Sequence, residues 1–345
     1  MLKNRFVAGL VLSTLSWSVT ACSNGTAKIA TQPVRPDPKA AASNFASSTP
    51  SGITSGSAGW TNHAAITHSA SAPKHKMLTA ILVDKKTNML YLTDYQNGKY
   101  ETIKTFHTTL GQVKGDKEEE GDLKTPEGIY TFKAFLTPPT LKPKFGKMAF
   151  YLNFPNTYDQ IAGHTGSNIM LHSTDTPLRL KQDYDSLGCI VVENDQLKEI
   201  QPYVRLGLTP ILIFPELTQE FMTPGQDESL KGFFKNWIKA WESRDITQYI
   251  NGYHSDFTAQ GKDKKAWKAF KSSLISKYSS IEINPEDVLY YRHPKYSMIT
   301  FTQNYRSRLK GGGWGHRSRG TKILYVGEEA GQPKIIAETF TNLMW

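Results

Sequence analysis

The stretch LTAILVDKKTNMLYLTD, residues 78–94, alternates apolar and polar side chains on both sides of Lys85-Lys86-Thr87. A period of two broken by a short polar turn predicts a β-hairpin with one buried face. Outward from this hairpin, further strands are predicted over 100–109, 127–136, 168–173, 188–193 and 209–214. Pro- and Gly-punctuated loops separate them, the longest spanning 137–167 and 174–187. One helix is expected over 194–205, with Asn194 as its N-cap and Gly207 as its close. The segment reads as mainly β, with its long loops as the place for a site.

Beyond a Pro- and Thr-bearing stretch the period changes. Leu230, Phe233, Phe234, Trp237, Ile238 and Trp241 form one apolar stripe at helical spacing, and a shorter helix carries Trp267, Phe270 and Leu274. Strand-like runs follow at 280–292, 296–309, 320–327 and 333–342. Helices followed by strands describe an α+β unit with helices on one sheet face. The expected organisation is a first domain over 77–217, a hinge over 218–227 and a second domain over 228–345. The net charge of +10 is unevenly shared: 77–217 holds 15 Lys and Arg against 17 Asp and Glu, whereas 228–345 holds 19 against 11. The basic second domain fits an ordinary solvated surface, and also contact with an anionic glycan or lipid.

The first 21 residues place Lys3 and Arg5 before an apolar run of about fourteen residues and then small residues, the layout of a secretory signal. The run is too short to span a membrane. Val19-Thr20-Ala21-Cys22 resembles the lipobox of bacterial lipoproteins, which implies lipidation of Cys22 and membrane anchoring through it. Ser23, in place of Asp, implies the outer membrane, and the expected location is periplasmic. Residues 22–76, rich in Ser, Thr, Ala, Pro and Gly, read as a disordered tether. Only two cysteines are present, so lipidation of Cys22 leaves Cys189 alone in an oxidising compartment. A structural disulfide within the chain is then excluded and a reactive thiol is expected. An exported chain has little access to nucleic acid, which is not expected as a partner.

GSNIMLHST, 166–174, places His172 at the end of a predicted strand, and SLGCIVV, 186–192, places Cys189 seventeen residues later. A cysteine needs a basic neighbour to become a thiolate at neutral pH, and histidine is the usual one. Gly188 lets the chain adopt unusual dihedrals beside the nucleophile. The amides around Leu187, Gly188 and Cys189 are expected to be free for a developing oxyanion. His164 and His172, without a third ligand nearby, make a poor zinc site, and no metal or cofactor is implied.

The order of these motifs resembles the L,D-transpeptidase family of peptidoglycan enzymes. ILVDKKTNMLYL matches its opening hairpin, and KTPEGIYTF, 124–132, its Thr-Pro-x-Gly-x-Tyr/Phe strand. LNFPNTYD, 152–159, followed by GSNIMLHS matches the approach to its histidine, and SLGCI its nucleophile turn. The resemblance implies Cys189 as nucleophile, His172 as its base and thiolate partner, and Ser173, through its carbonyl, as the group orienting the imidazole. Ser186 and Gly188 would shape the oxyanion turn, and peptidoglycan stem peptides would be the substrate. Two departures stand out: Leu187 where many members carry His, and Val191 where many carry Arg or Asn. Arg179, Lys181 and His164, in neighbouring loops, are the expected substitutes for a missing carboxylate grip, with Leu187 beside them.

FFKNWIKAWESRDITQYINGYHSDF, 233–257, resembles the nuclear transport factor two-like fold, a cone-shaped α+β domain. The pairing of the two domains looks like the L,D-carboxypeptidases that set helical cell shape. Three functions follow: an L,D-transpeptidase, a carboxypeptidase trimming tetrapeptide to tripeptide, and a non-catalytic wall-binding lipoprotein. In KGGGWGHRSRG, 310–320, Trp314 and Arg317 suit sugar or peptide contact, with a simple hairpin tip as the ordinary reading.

Overall fold

The computed structural model describes residues 78–342, which belong to one compact unit. The expected signal, Cys22 and the whole tether lie outside the described residues. The hairpin forms as β1 (Thr79–Asp84) and β2 (Met89–Gln96), paired antiparallel with Ile81 opposite Leu92. The chain continues through β3 (Lys99–His107), β4 (Leu110–Gly111), β5 (Gly128–Leu136), β6 (Ala149–Leu152), α1 (Thr157–Ile161) and β7 (Met170–His172). Then come β8 (Tyr184–Ser186), β9 (Ile190–Val191), α2 (Asn194–Ile200) and β10 (Pro210–Phe214). Eight of these strands make one sheet in the order β3-β2-β1-β10-β5-β6-β7-β9, while β4 and β8 pair separately.

The hairpin differs from expectation in one respect: β1 is buried on both faces. Ile81 and Val83 point into a core with Leu92, Phe132, Phe150, Leu171, Ile190 and Ile211. Ala80 and Leu82 point the other way, into a second core shared with Tyr291, Tyr296, Met298 and Tyr325 of the C-terminal part. β10 is buried throughout for the same reason. A sheet covered on both sides needs apolar residues at successive positions, as TAILVD and PILIF supply.

The C-terminal part holds α3 (Glu228–Ser243), α4 (Ile246–Asn251), β11 (Tyr253–Ala259), β12 (Lys262–Asp263) and α5 (Lys264–Ile275). Its long strands are β13 (Tyr278–Arg292), β14 (Ser297–Leu309), β15 (Trp314–Glu329) and β16 (Gln332–Asn342). With β11 and β12 they form a six-stranded sheet, β12-β11-β16-β15-β14-β13. The stripe on α3 buries Phe234, Trp237 and Trp241 in a third core with Tyr249, Tyr253, Phe257 and Trp267. Asp227 caps α3 by accepting from Leu230 N, and Arg244, in left-handed conformation, closes it.

Residues 218–227, expected as a hinge, are held in place. Phe221 is buried in the shared core, Gly225 N donates to Gly98 O at 2.8 Å, and Arg292 pairs with Asp227 at 3.3 Å. The turn between β13 and β14 inserts into the first domain. His293 Nε2 lies 2.8 Å from Ile213 O, and the Lys295 ammonium reaches Asp116 and Glu127 O. The Tyr296 hydroxyl accepts from Ile129 N at 2.8 Å and Asn156 Nδ2 at 2.9 Å, and donates to Ile129 O at 3.1 Å. One O–H donor and two lone pairs are thus all used.

Helix α2 also corrects a prediction. Glu193, not Asn194, occupies the cap position, with Glu193 N donating to Gln196 Oε1 at 3.1 Å. Asn194 instead ties the helix start to the loop after β7, donating to Thr174 O and Asp175 Oδ1. The α-helix ends at Ile200 and tightens into a 3₁₀ turn, Gln201–Tyr203, containing Pro202, which has no N–H to give a helical ladder. Replacing Tyr296 by Phe leaves the buried Ile129 N–H without its partner, while Ile129 O keeps its bond from Asn156 Nδ2. Urea unfolding should show stability reduced by about 1–3 kcal/mol, in a single transition, because the shared core couples both domains.

Candidate active site

β7 and β9 run parallel and adjacent, with Leu171 opposite Ile190 and His172 opposite Val191. Alternation sends Leu171, Ile190 and Val192 into the main core and leaves Met170, His172, Cys189 and Val191 on the other face. There His172 and Cys189 line one cleft of about 830 Å³. Its walls include Lys117, Tyr151, Asn168, Ser186 and Leu187, and the 137–148 loop contributes Leu141, Lys142, Lys144 and Phe145. The Phe145 ring meets the His172 imidazole edge-on, with centroids 5.0 Å apart.

His172 Nδ1 lies 2.6 Å from the Ser173 carbonyl oxygen. A carbonyl only accepts, so Nδ1 carries the proton and the Nε2 lone pair is left for chemistry. Ser173 is itself fixed: its N–H donates to Met148 O at 3.0 Å, and its Oγ accepts from Lys147 N at 2.9 Å and Met148 N at 3.1 Å. This packing requires Gly146, whose φ is +68° and whose hypothetical Cβ would lie 2.5 Å from Ser173 Oγ.

The Cys189 turn is built around Ser186. Its hydroxyl donates to Cys189 O at 2.6 Å and accepts from Gly188 N at 3.1 Å. The Gly188 amide is therefore occupied, contrary to the expectation that it is free for an oxyanion. Gly188 has φ +120°, and a Cβ there would sit 2.7 Å from Lys124 O. Its task is to let the turn form against the backbone at Lys124.

The resting pair is neutral. Burial lowers the His172 imidazole to about 4, opposed by its bond to Ser173, with Arg179 and Lys144 lowering it further. Burial raises the Cys189 thiol to about 11, with those same two cations among the groups pulling it down. The thiol points to Asn168 O, 3.7 Å from Sγ, and no hydrogen bond to His172 is made among the described residues. Burial thus works against the thiolate–imidazolium pair expected from sequence in the unliganded cleft. Desolvation disfavours both charged forms.

The expected substrate residues divide. Arg179 lines the cleft but spends its guanidinium on Asp185, with Nε 2.7 Å from Oδ2 and an Nη 2.7 Å from the backbone oxygen. Leu187 projects from the cleft wall, 65% exposed. Lys181 does not line it: the 3₁₀ turn Pro177–Lys181 directs Lys181 to a separate depression beside His107 and Glu193. His164 is also outside it, with Nδ1 buried 3.7 Å from Asp159 Oδ1. Sequence reasoning missed Lys144, an exposed cation on the cleft wall whose Nζ lies 4.9 Å from the Phe145 ring. Among the described residues it has no carboxylate partner. Its only signal in the sequence is the basic run LKPKFGK, 141–147. No cluster of three or more metal-ligating side chains occurs among the described residues.

A buried cysteine and a carbonyl-oriented histidine on adjacent strand ends share one cleft of a strand-rich domain, which is followed by an α+β domain with a helix-backed sheet. The chain belongs to the L,D-transpeptidase catalytic domain family, whose model matches residues 78–213, and carries a C-terminal domain matching the Cds6 C-terminal NTF2-like domain over 229–339. The solved structure of Bd1075 from Bdellovibrio bacteriovorus is 30% identical, with a TM-score of 0.66 over 78% of this chain and 94% of that one. A single-substitution mutant of the helical cell shape determining protein Pgp2 from Campylobacter jejuni is 25% identical, with a TM-score of 0.63 over 76% and 90%. "Putative L,D-transpeptidase YafK" of Escherichia coli (strain K12) is 34% identical over 92 residues, 26% of this chain. The chain spans about a third of the length of the curated relatives it matches, 32% for YafK.

The neutral pair fixes a pH response. Iodoacetamide reacts with the thiolate, so Cys189 alkylation in the unliganded protein should keep accelerating up to about pH 11. A plateau reached near neutral pH would instead reveal a stable ion pair with His172.

Proposed function

We propose that this chain is an extracytoplasmic L,D-transpeptidase-type enzyme acting on the L,D bond between the third residue and the terminal D-Ala of a peptidoglycan stem tetrapeptide. The observation that carries the reading is the His172 Nδ1 bond to Ser173 O, because it leaves Nε2 as a base in the cleft that Cys189 also lines. Substrate entering the cleft brings its scissile carbonyl to the thiol. As the Sγ–C bond forms, Sγ gives its proton to His172 Nε2, and the Ser173 carbonyl stabilises the imidazolium through Nδ1–H. The imidazolium then protonates the departing amine of D-Ala, leaving a thioester on Cys189. With the Gly188 amide engaged by Ser186, the oxyanion falls to the neighbouring amides of Leu187 and Cys189.

An amine acceptor, deprotonated by His172, completes transpeptidation; water in its place completes a carboxypeptidase reaction. The second reading is favoured by Val191, which is fully buried and hydrogen-bonded through its backbone to Thr109, so this strand offers no cation to an acceptor. Export, lipidation of Cys22 and an outer-membrane location belong to the same proposal and rest on the N-terminal sequence.

Two experiments test it with purified residues 70–345, which span the compact unit. Incubated with disaccharide tetrapeptide and analysed by mass, the protein should release D-Ala and yield cross-linked dimer or tripeptide, and Cys189→Ala should yield neither. No product from the wild-type protein would favour a non-catalytic wall-binding protein, and products that persist in Cys189→Ala would sink the Cys189 mechanism. Lys144, which like Lys142 lines the cleft without a carboxylate partner among the described residues, should bind the terminal carboxylate of the substrate. Lys144→Ala is expected to raise KM about tenfold, the loss of one charge-assisted hydrogen bond, with kcat little changed.

A further inference from the structure

The proposed reaction uses nothing at the far end of the C-terminal sheet, yet the tip joining β14 to β15 is unusual. Lower on this sheet, arginines are paired: Arg319 meets Glu286 at 3.0 Å and Arg306 meets Glu282 at 3.7 Å. At the tip the pairing stops. Residues 307–318 and the adjoining 276–281 contain no Asp or Glu, while Lys277, Arg308, Lys310 and Arg317 are all exposed there. Among the described residues none of these four has a carboxylate partner. Lys310 N donates to Lys277 O at 3.1 Å, which binds the two segments into one surface.

The arginines are instead placed by Trp314. The Arg317 guanidinium carbon lies 3.6 Å from the indole centroid and that of Arg308 lies 4.2 Å from it. Such contacts hold the guanidinium planes while leaving N–H donors free for an outside acceptor. Apolar surface accompanies this charge, since Trp314 is 44% and Leu309 39% exposed. The turn between them is Lys310 followed by three glycines, so no bulky side chain shields the tip.

We propose that this tip docks on an anionic phospholipid surface. Phosphates accept from Arg308, Arg317, Lys310 and Lys277, and Trp314 and Leu309 enter the interface between headgroups and acyl chains. A glycan fits less well. Stacking a sugar on Trp314 would displace guanidiniums already lying against it, and a neutral sugar gains nothing from four cations. A surface offering both fixed anions and an apolar boundary matches both halves of the patch. Docking there would seat the C-terminal domain on a membrane independently of any lipid on Cys22.

The test uses residues 70–345, which lack Cys22, in co-sedimentation with vesicles of equal parts phosphatidylglycerol and phosphatidylcholine. Vesicles of phosphatidylcholine alone and isolated peptidoglycan sacculi form the other arms. Binding is expected to the anionic vesicles and to fall steeply with added salt. The double substitution Arg308→Gln/Arg317→Gln should weaken it roughly 30-fold, about fivefold per cation. Trp314→Ala should weaken binding while leaving its salt dependence in place. All these positions are exposed, and an unchanged urea transition verifies that each variant is folded. Equal binding to neutral vesicles, binding untouched by the substitutions, or retention by sacculi without vesicle binding would each overturn the proposal. None of these readouts depends on Cys189 chemistry.

Discussion

The phenol of Tyr296 is the point on which the two halves of the molecule depend. It occupies both the N–H and the C=O of Ile129 and, through Asn156, reaches the cap of α1, where Asn156 and Asp159 bond reciprocally. Asp159 is buried, with its pKa raised by desolvation, and it accepts from Tyr130 at 3.3 Å and from Asn156 N at 3.0 Å. A buried carboxylate this close to a domain junction is tolerable only because those donors surround it. The first domain therefore presents a polar socket within an apolar sheet face, and the second fills it. The same arrangement explains why β1 and β10 can be apolar on both faces without exposing a sticky surface.

Burial also governs the reactive pair, in an opposite sense. The packing that holds His172 and Cys189 on one sheet face withholds water from both, so each rests uncharged. An exposed thiolate would be open to oxidation, whereas a buried thiol turned toward a backbone carbonyl is protected until the cleft is filled. In the proposed reaction, substrate supplies the polarity that moves the proton.

Much of this is legible in the sequence. The hairpin, the α3 stripe and the four long C-terminal strands have strong periods, and His172 and Cys189 sit in motifs where strand meets turn. What escapes depends on contacts distant in sequence. Nothing in TAILVD tells that both its faces are covered, because the covering residues lie some 200 positions later. β6 hides in a predicted loop because its four residues are too few to show alternation. His164 and Lys181 are credible substrate groups by neighbourhood alone, and only the turns carrying them decide which way they face. LNFPNTYD reads as an approach to the histidine. In the fold its Asn156 and Asp159 build the socket for Tyr296, a role that no local pattern encodes.

Ser173 links two parts of the cleft that could otherwise move separately. Its hydroxyl is gripped by the backbone of Lys147 and Met148, and its carbonyl grips the imidazole one residue earlier. Gly146 brings the loop against it with no room to spare. The 137–148 loop and the histidine ring are therefore fixed to one another twice, through Ser173 and through the Phe145 ring that meets the imidazole edge-on. The shape of the cleft rim and the orientation of the imidazole are set by the same few contacts.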